Sequence, residues 1–482
     1  MWGSMFGQNS DNKAVFTNRA AIWVLGAEYN VRGPARDPHA VAKSMGPKKL
    51  RELLIKEFEK RNRFAGADIY SKVWLTYREE FPAIRGGQTG EWTTDAGWGC
   101  MLRTTQMMFC QGLIIHYLGR HWRLSNHKEQ DPLYTMVLKW FLDYPVGVCP
   151  YSIHNLLKHA GVVDKKVGQW FGPQAASVVM SRAHKIHQSS RIAASLPKLY
   201  MATDGTLYLD QIIELCTEIK TTESTQKSKP KSSSSEIKTP NAKFKTEQAF
   251  GPPRRNDSTT STQTASSSSQ PTPGAPRQCT ERKISAWEKA IKETRAPWKS
   301  IIILIPVRLG IETINQGYCA GLKECLRLPQ SLGFVGGRPR SSLYFMGYQG
   351  ENLLYLDPHT IQRTISLRDE ISANIQSFHC TKVQTLRFSG LDPSLALGFY
   401  CSDRDDFFDF WRSIERMNLS KYPTFRGALA APNYDEAELD FTIDSPPPKE
   451  NQRGVNVISR LPEEKLARKK SPVTVDDGFV LL

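Results

Sequence analysis

The sequence lacks any apolar run long enough to span a membrane, and it has no N-terminal hydrophobic stretch of the length a signal peptide needs. It has no Cys-x-x-Cys pair, so neither a zinc-ribbon spacing nor a thioredoxin-like redox motif is present. Its nine cysteines are odd in number and scattered, which excludes a paired disulfide framework and points to free thiols in a reducing, cytoplasmic setting. Phosphate-cradling glycine patterns are missing, as are zinc-finger spacing, RNP-like aromatic motifs and a helix-turn-helix signature. The formal net charge of +16 is therefore read as a solvated basic surface or a transient contact with anionic membrane rather than a nucleic-acid module.

What is there suffices for a folded enzyme. The 482 residues are 40% hydrophobic and 10% aromatic, enough to bury a large core. Composition shifts divide the chain into a polar start at 1–20, an ordered half at 21–219, an insertion at 220–285, a second ordered half at 286–430 and a polar tail at 431–482. The insertion is Ser, Thr, Lys, Pro and Gln with two runs of four serines, a composition that cannot bury enough apolar surface to offset the entropy of ordering. Loop-closure entropy grows slowly with length, so one enzyme can carry such an insertion.

Cys100 follows a Gly97-Trp98-Gly99 turn and opens a run whose apolar positions, Met101, Thr105, Met108, Phe109, Leu113 and Tyr117, recur at helical spacing. A cysteine at a helix N-terminus meets unpaired N–H groups and the positive end of the helix dipole, which favour the thiolate nucleophile. Gly97 and Gly99 leave room for another backbone to approach the sulfur. Far downstream, Leu343–Tyr348 and Leu353–Asp357 read as two strands joined by a turn, and the second ends in Asp357-Pro358-His359. Asp and His two apart at a strand end can face one side, His359 as general base and Asp357 as its orienting group.

Around these lie further elements. Gly46 to Arg63 reads as a basic amphipathic helix, and Ser152 as the cap of a helix carrying Ile153, Leu156 and Leu157. His154 and His159 do not share a face, so metal binding is not expected. Gly168-Gln-Trp170-Phe-Gly-Pro173 places a bulky aromatic between glycines before a helix start, either a lid over a cleft or a core anchor. Lys198 to Tyr208 suggests a strand pair around Asp204-Gly205, with a helix from Leu209 to Ile219. Trp287 to Arg295 reads as a short helix, and Ile301–Val307 as a strand buried on both faces. Ser331–Ser342 reads as a glycine-rich basic loop able to swing, and Leu395–Cys401 as a strand. Ser402 to Asp405 suggests a capping box for a helix whose stripe is Phe407, Phe410, Trp411 and Ile414. The chain end Asp476-Asp-Gly-Phe479-Val-Leu-Leu482 can add as an extended strand to a sheet edge, or present its carboxylate to a PDZ-type domain.

The blocks Trp74–Pro82, Thr94–Arg103, Gly168–Pro173, Leu356–His359 and Leu397–Cys401 together resemble the autophagins, cysteine peptidases acting on ubiquitin-like autophagy modifiers. The resemblance runs, with interruptions, from about Ile22 to about Phe425. It implies an α+β, papain-like fold with a small auxiliary subdomain, here with a long disordered insertion. It also implies cleavage after the modifier's C-terminal glycine, both in the precursor and in the form conjugated to phosphatidylethanolamine, with no cofactor and no metal. By the same resemblance Tyr77 supplies an oxyanion donor beside the Cys100 N–H, and Trp170 covers the cysteine. The resemblance further implies that Pro339 tips a regulatory loop and that Phe479 with Leu482 holds the modifier. Two other readings remain from the sequence: an idle adaptor that binds and shields the modifier, and a ubiquitin-type deconjugase or transglutaminase-like enzyme of similar fold.

Overall fold

The computed structural model describes residues 20–29, 65–86, 90–124, 130–190, 195–217, 297–338 and 341–432. The expected helices at 46–63 and 287–295, the insertion, Pro339, Phe479 and Leu482 lie outside these residues. The strands are β1 (Ile22–Val24), β2 (Ala27–Tyr29), β3 (Tyr77–Glu79), β4 (Ile84–Arg85), β5 (Glu91–Trp92), β6 (Lys198–Met201), β7 (Thr206–Tyr208) and β8 (Ile301–Arg308). They continue as β9 (Ser331–Arg338), β10 (Ser341–Gln349), β11 (Asn352–Leu356), β12 (Ile361–Arg363), β13 (Gln384–Arg387), β14 (Ser394–Cys401) and β15 (Arg426–Ala428). The α-helices are α1 (Cys100–Leu118), α2 (Pro132–Lys139), α3 (Ile153–Leu157), α4 (Pro173–Gln188), α5 (Leu209–Thr217), α6 (Cys319–Arg327) and α7 (Arg404–Asn418).

One mixed sheet in the order β13-β11-β10-β9-β14-β8-β6, with β1 and β2 added beside β10, divides two cores. Alternation along the strands assigns each side chain to one of them. Ile302 and Leu304 of β8, Tyr344 and Met346 of β10 and Leu354 and Leu356 of β11 join the core packed by α1 to α4. Ile301, Ile303 and Ile305, with Phe345 and Leu353, join the core packed by α5, α6 and α7. The unbroken apolar run of β8 follows from this, because it lies between β14 and β6 with helices over both faces.

Four local expectations are corrected. Helix α1 has no apolar stripe: every residue from Cys100 to Ile115 is buried, because sheet and helices surround it. Lys198–Met201 and Thr206–Tyr208 are both strands, but not a hairpin; β6 runs parallel to β8 and β7 parallel to β15. The edge of the main sheet offers β6 a full partner, and a turn at Asp204, whose side chain accepts from the Thr206 N–H, sends the chain away. The cap of α7 is Asp403, accepting from the Asp405 and Asp406 N–H groups, one residue later than expected. Asp406 reaches back to the Ser402 N–H, so the box has its reciprocal bond in a shifted frame.

The fourth correction concerns the glycine-rich loop. Residues 331–338 are strand β9, hydrogen-bonded between β10 and β14, so the stretch is anchored up to its turn and does not swing as a loop. Its glycines serve close packing. Gly333 has φ +78, and a Cβ there would run into the carbonyl of Phe345. Gly333→Ala combines a left-handed alanine with a backbone overlap and is expected to destabilise by about 2–5 kcal/mol, read as a lower urea midpoint at unchanged m-value.

Candidate active site

Cys100 is the first residue of α1, and the turn before it is closed by the Asp95 carbonyl, which accepts from the Trp98 and Gly99 N–H groups at 3.2 and 2.9 Å. Gly97 lies in that turn at φ +83. Gly99 is required from within: a Cβ would strike the Asp95 carboxylate. This corrects the expectation that both glycines clear space for an incoming chain.

Asp357 lies just beyond β11 and His359 two residues further. The Asp357 Oδ1 accepts both the His359 main-chain N–H at 3.0 Å and the ring Nδ1 at 2.5 Å. Trp74 holds this corner by donating Nε1–H to the Asp357 carbonyl at 2.6 Å. The chain then turns into β12, which pairs in parallel with β3, setting Ile361 opposite Tyr77. The Tyr77 N–H donates to the Pro358 carbonyl at 2.9 Å, and its ring meets the His359 ring edge-on at 5.4 Å between centroids. Two segments some 280 positions apart in sequence are thus laced together through β3 and β12.

The thiol faces both. Cys100 is 4% exposed and interacts with the His359 ring, the Tyr77 hydroxyl and the Ser342 backbone. The His359 Nε2, turned away from Asp357, is buried and pairs with no nitrogen or oxygen of the protein. Burial alone would raise the Cys100 pKa; the hydrogen bonds from His359 and Ser342, the charge of His359 and the Tyr77 hydroxyl outweigh it and hold the thiol below its ordinary range. Burial likewise works against the His359 charge, but Asp357 and Cys100 raise its pKa to about 9. Among the described residues the other shifted cysteines, Cys110, Cys149, Cys216, Cys319, Cys325, Cys380 and Cys401, are all pushed up by burial. Among the described cysteines Cys100 alone has its pKa lowered, and the His359 beside it has its pKa raised, the directions that favour a thiolate next to an imidazolium.

These directions set a pH profile. With its pKa raised to about 9, a His359 acting as proton donor to a departing amine would be charged below that pH and lost as a donor above it. Toward acid the pair gains a proton at sulfur, below the pH at which an ordinary thiol would be protonated. The expected kcat/KM profile for peptide cleavage is a bell with its alkaline limb near pH 9. The rate of Cys100 alkylation by iodoacetamide has no such alkaline limb, because it needs no proton donor. An alkylation profile rising only in the ordinary thiol range would contradict the ion pair.

Trp170 stands above the turn before the cysteine, 40% exposed, its Nε1–H donating to the Gly97 carbonyl at 2.6 Å. The core anchor of that segment is its neighbour Phe171, which is buried, so the core-tryptophan reading does not hold. His154 is buried and bonds through Nε2 to the Pro82 carbonyl at 2.6 Å. Among the described residues no group of three or more His, Cys, Asp or Glu could hold a metal ion, and no helix is long and apolar enough to cross a membrane.

Sequence reading assigned nothing to the buried charges beneath this site. Arg103, one turn into α1, donates Nε–H and Nη2–H to the two oxygens of Asp95 at 2.8 and 2.9 Å and Nη1–H to Asp143 at 3.0 Å. Burial opposes the Arg103 charge, but Asp143 and Asp95 more than offset it and raise its pKa. The available signal was a charge on each side of the cysteine inside an otherwise uncharged stretch.

A thiol opening a central helix, facing an aspartate-held imidazole just beyond a strand of the neighbouring sheet, defines a cysteine protease of papain-like fold. The description of the Peptidase C54 catalytic domain matches residues 62–413. Human "Cysteine protease ATG4A" is 34% identical over 356 residues, which cover 74% of this chain and 75% of that protein. Chicken "Cysteine protease ATG4B" is 34% identical over 363 residues, 75% of this chain and 77% of that protein, and the Xenopus laevis ATG4B is 35% identical over 354 residues, 73% and 75%. The chain belongs to the Peptidase C54 family, the autophagins that its motifs resemble.

Proposed function

We propose that this protease cleaves ubiquitin-like autophagy modifiers after their C-terminal glycine, trimming the precursor and releasing the modifier from phosphatidylethanolamine. The observation that carries the reading is the contact of a buried helix-terminal thiol with a histidine whose Nδ1 is held by Asp357. The Cys100 sulfur attacks the glycine carbonyl carbon and forms a tetrahedral adduct, with its oxyanion received by the Cys100 N–H and the Tyr77 hydroxyl. The His359 imidazolium protonates the departing amine, leaving a thioester. Water then attacks that thioester, His359 takes its proton, and the glycine carboxylate leaves as the thiol is restored. Peptide and ethanolamine amides present the same bond, so one mechanism serves both reactions.

Trp170 is the cover under which the modifier's tail passes. Its exposed ring over the Gly97 turn supports this, since a tail without side chains is the kind that fits between the indole and the backbone. Pro339, Phe479 and Leu482, which lie outside the described residues, complete the expected contacts with the modifier. The free thiols of the described cysteines suit a cytoplasmic setting, and a lipid-linked substrate would bring the enzyme against anionic membrane.

The test uses the full chain and its Cys100→Ala variant with a modifier precursor and with the same modifier conjugated to phosphatidylethanolamine in vesicles. The expected result is a product ending in glycine by intact mass from both substrates, and none from the variant. Binding without cleavage by either protein would favour the adaptor, and cleavage by both would exclude Cys100 as nucleophile.

A further inference from the structure

The two proposed oxyanion donors come from separate parts of the chain: the Tyr77 hydroxyl from β3, the Cys100 N–H from the start of α1. Their separation has to be fixed for both to point at one oxygen. A single fully buried side chain, Asp95, bonds to both parts. Its Oδ1 accepts the main-chain N–H of Arg78, the residue after Tyr77, at 2.7 Å. The Asp95 N–H donates back to the Arg78 carbonyl at 3.3 Å, so the two residues are doubly tied. On the other side the carboxylate lies against the Gly99 backbone, immediately before Cys100. It also takes both fork bonds of Arg103, whose own N–H is accepted by the Gly99 carbonyl at 3.0 Å. The Asp95 main-chain carbonyl receives the Gly99 N–H at 2.9 Å.

We infer that Asp95 is a positioning residue for the oxyanion site, a carboxylate brace that sets the distance between Tyr77 and the Cys100 N–H. The inference rests on the proposed hydrolysis. The carboxylate does not touch substrate; it acts through the two donors. Its chemistry suits the task, because a carboxylate accepts from several N–H groups at once in fixed directions, and the Arg103 fork locks its plane. An asparagine of the same shape would turn an NH2 toward either the Arg78 N–H or the guanidinium, and one end of the brace would open.

The consequence is selective. Alkylation of the thiolate by iodoacetamide forms no oxyanion, while acyl transfer does. In Asp95→Asn, kcat on the modifier precursor is expected to fall about 100-fold, the scale of an ångström-size misplacement, with KM within about three-fold. The alkylation rate of Cys100 and its pH midpoint are expected to stay as in the wild type. A peptide ending in glycinal, whose thiohemiacetal with Cys100 places an oxygen in the same site, is expected to lose affinity by about the same factor as kcat. In a Tyr77→Phe background the additional loss from Asp95→Asn is expected to be smaller, because one of its two targets is gone.

Asp143→Asn is the structural control, since it removes the charge of the other carboxylate bound to Arg103 without touching the Arg78 main chain or Gly99; it is expected to lower Tm and leave kcat within about three-fold. Should Asp95→Asn not fold, Arg103→Lys loosens the same carboxylate by replacing the fork with a single-point cation, and about a ten-fold kcat loss at held KM is expected. Unchanged kcat in Asp95→Asn, or equal losses of kcat and alkylation rate, or the same kcat loss in Asp143→Asn, overturns the inference. A precursor-cleaving Cys100→Ala variant would instead overturn the hydrolytic reading beneath it.

Discussion

His359→Ala is expected to lower kcat/KM on a modifier precursor by about 10⁴- to 10⁶-fold, the scale at which loss of a catalytic base matches loss of the nucleophile. Two effects combine. The imidazole no longer moves protons, and the thiol loses the largest of the interactions that hold its pKa down. Without that ring, burial raises the Cys100 pKa as it raises those of the other core cysteines. The iodoacetamide profile of the variant should therefore move from below the ordinary thiol range to about pH 8.5 or above. Loss of activity with an unmoved alkylation profile would mean that His359 moves protons but does not hold the thiolate. A variant cleaving within about ten-fold of the wild type would remove His359 from the mechanism altogether.

Asp357 gives the second large effect and a sharper one, because a single oxygen, Oδ1, takes both the ring Nδ1 and the main-chain N–H of His359. Asp357→Ala removes that acceptor, frees the ring and should cost about 10³- to 10⁴-fold in kcat/KM. Asp357→Asn keeps an oxygen able to accept both bonds and loses only the charge. Its expected cost is about 10- to 100-fold, in line with Cys-His-Asn constellations elsewhere. The charge matters through pH: the carboxylate helps raise the His359 pKa to about 9, so the alkaline limb of kcat/KM in Asp357→Asn should move to lower pH. Equal losses in the two variants, or an alkaline limb that stays near 9, would show that Asp357 does not act through Oδ1 on the ring.

Much of the site was legible because its signals are local. A cysteine after a glycine turn and before a helix, and an Asp-Pro-His at a strand end, each depend on a few neighbouring residues. Strands β8, β10, β11 and β14 were equally clear, since strand periodicity is carried by successive side chains. The misreadings share one cause. Ser331–Arg338 looked like a mobile loop because its glycines signal freedom, yet Phe345 and neighbouring backbone approach so closely that only glycine fits. Lys198–Tyr208 looked like a hairpin because the turn signal is local, whereas the choice of partner belonged to β8 and β15. The stripe on α1 vanished because helices and sheet bury it on all sides.

By itself the sequence determined the chemistry available: which residue can be the thiolate, which pair can serve it, and where helices and buried strands run. Only the tertiary structure decided that the Tyr77 strand lies beside the His359 segment, that Asp95 and Arg103 form a buried brace beneath the cysteine, and that Trp170 stands at the surface while Phe171 anchors the core. The reason is physical: propensity, capping and periodicity are written in neighbouring residues, but the partner of a buried charge or of a strand edge is set by whichever distant group packing brings within hydrogen-bond reach.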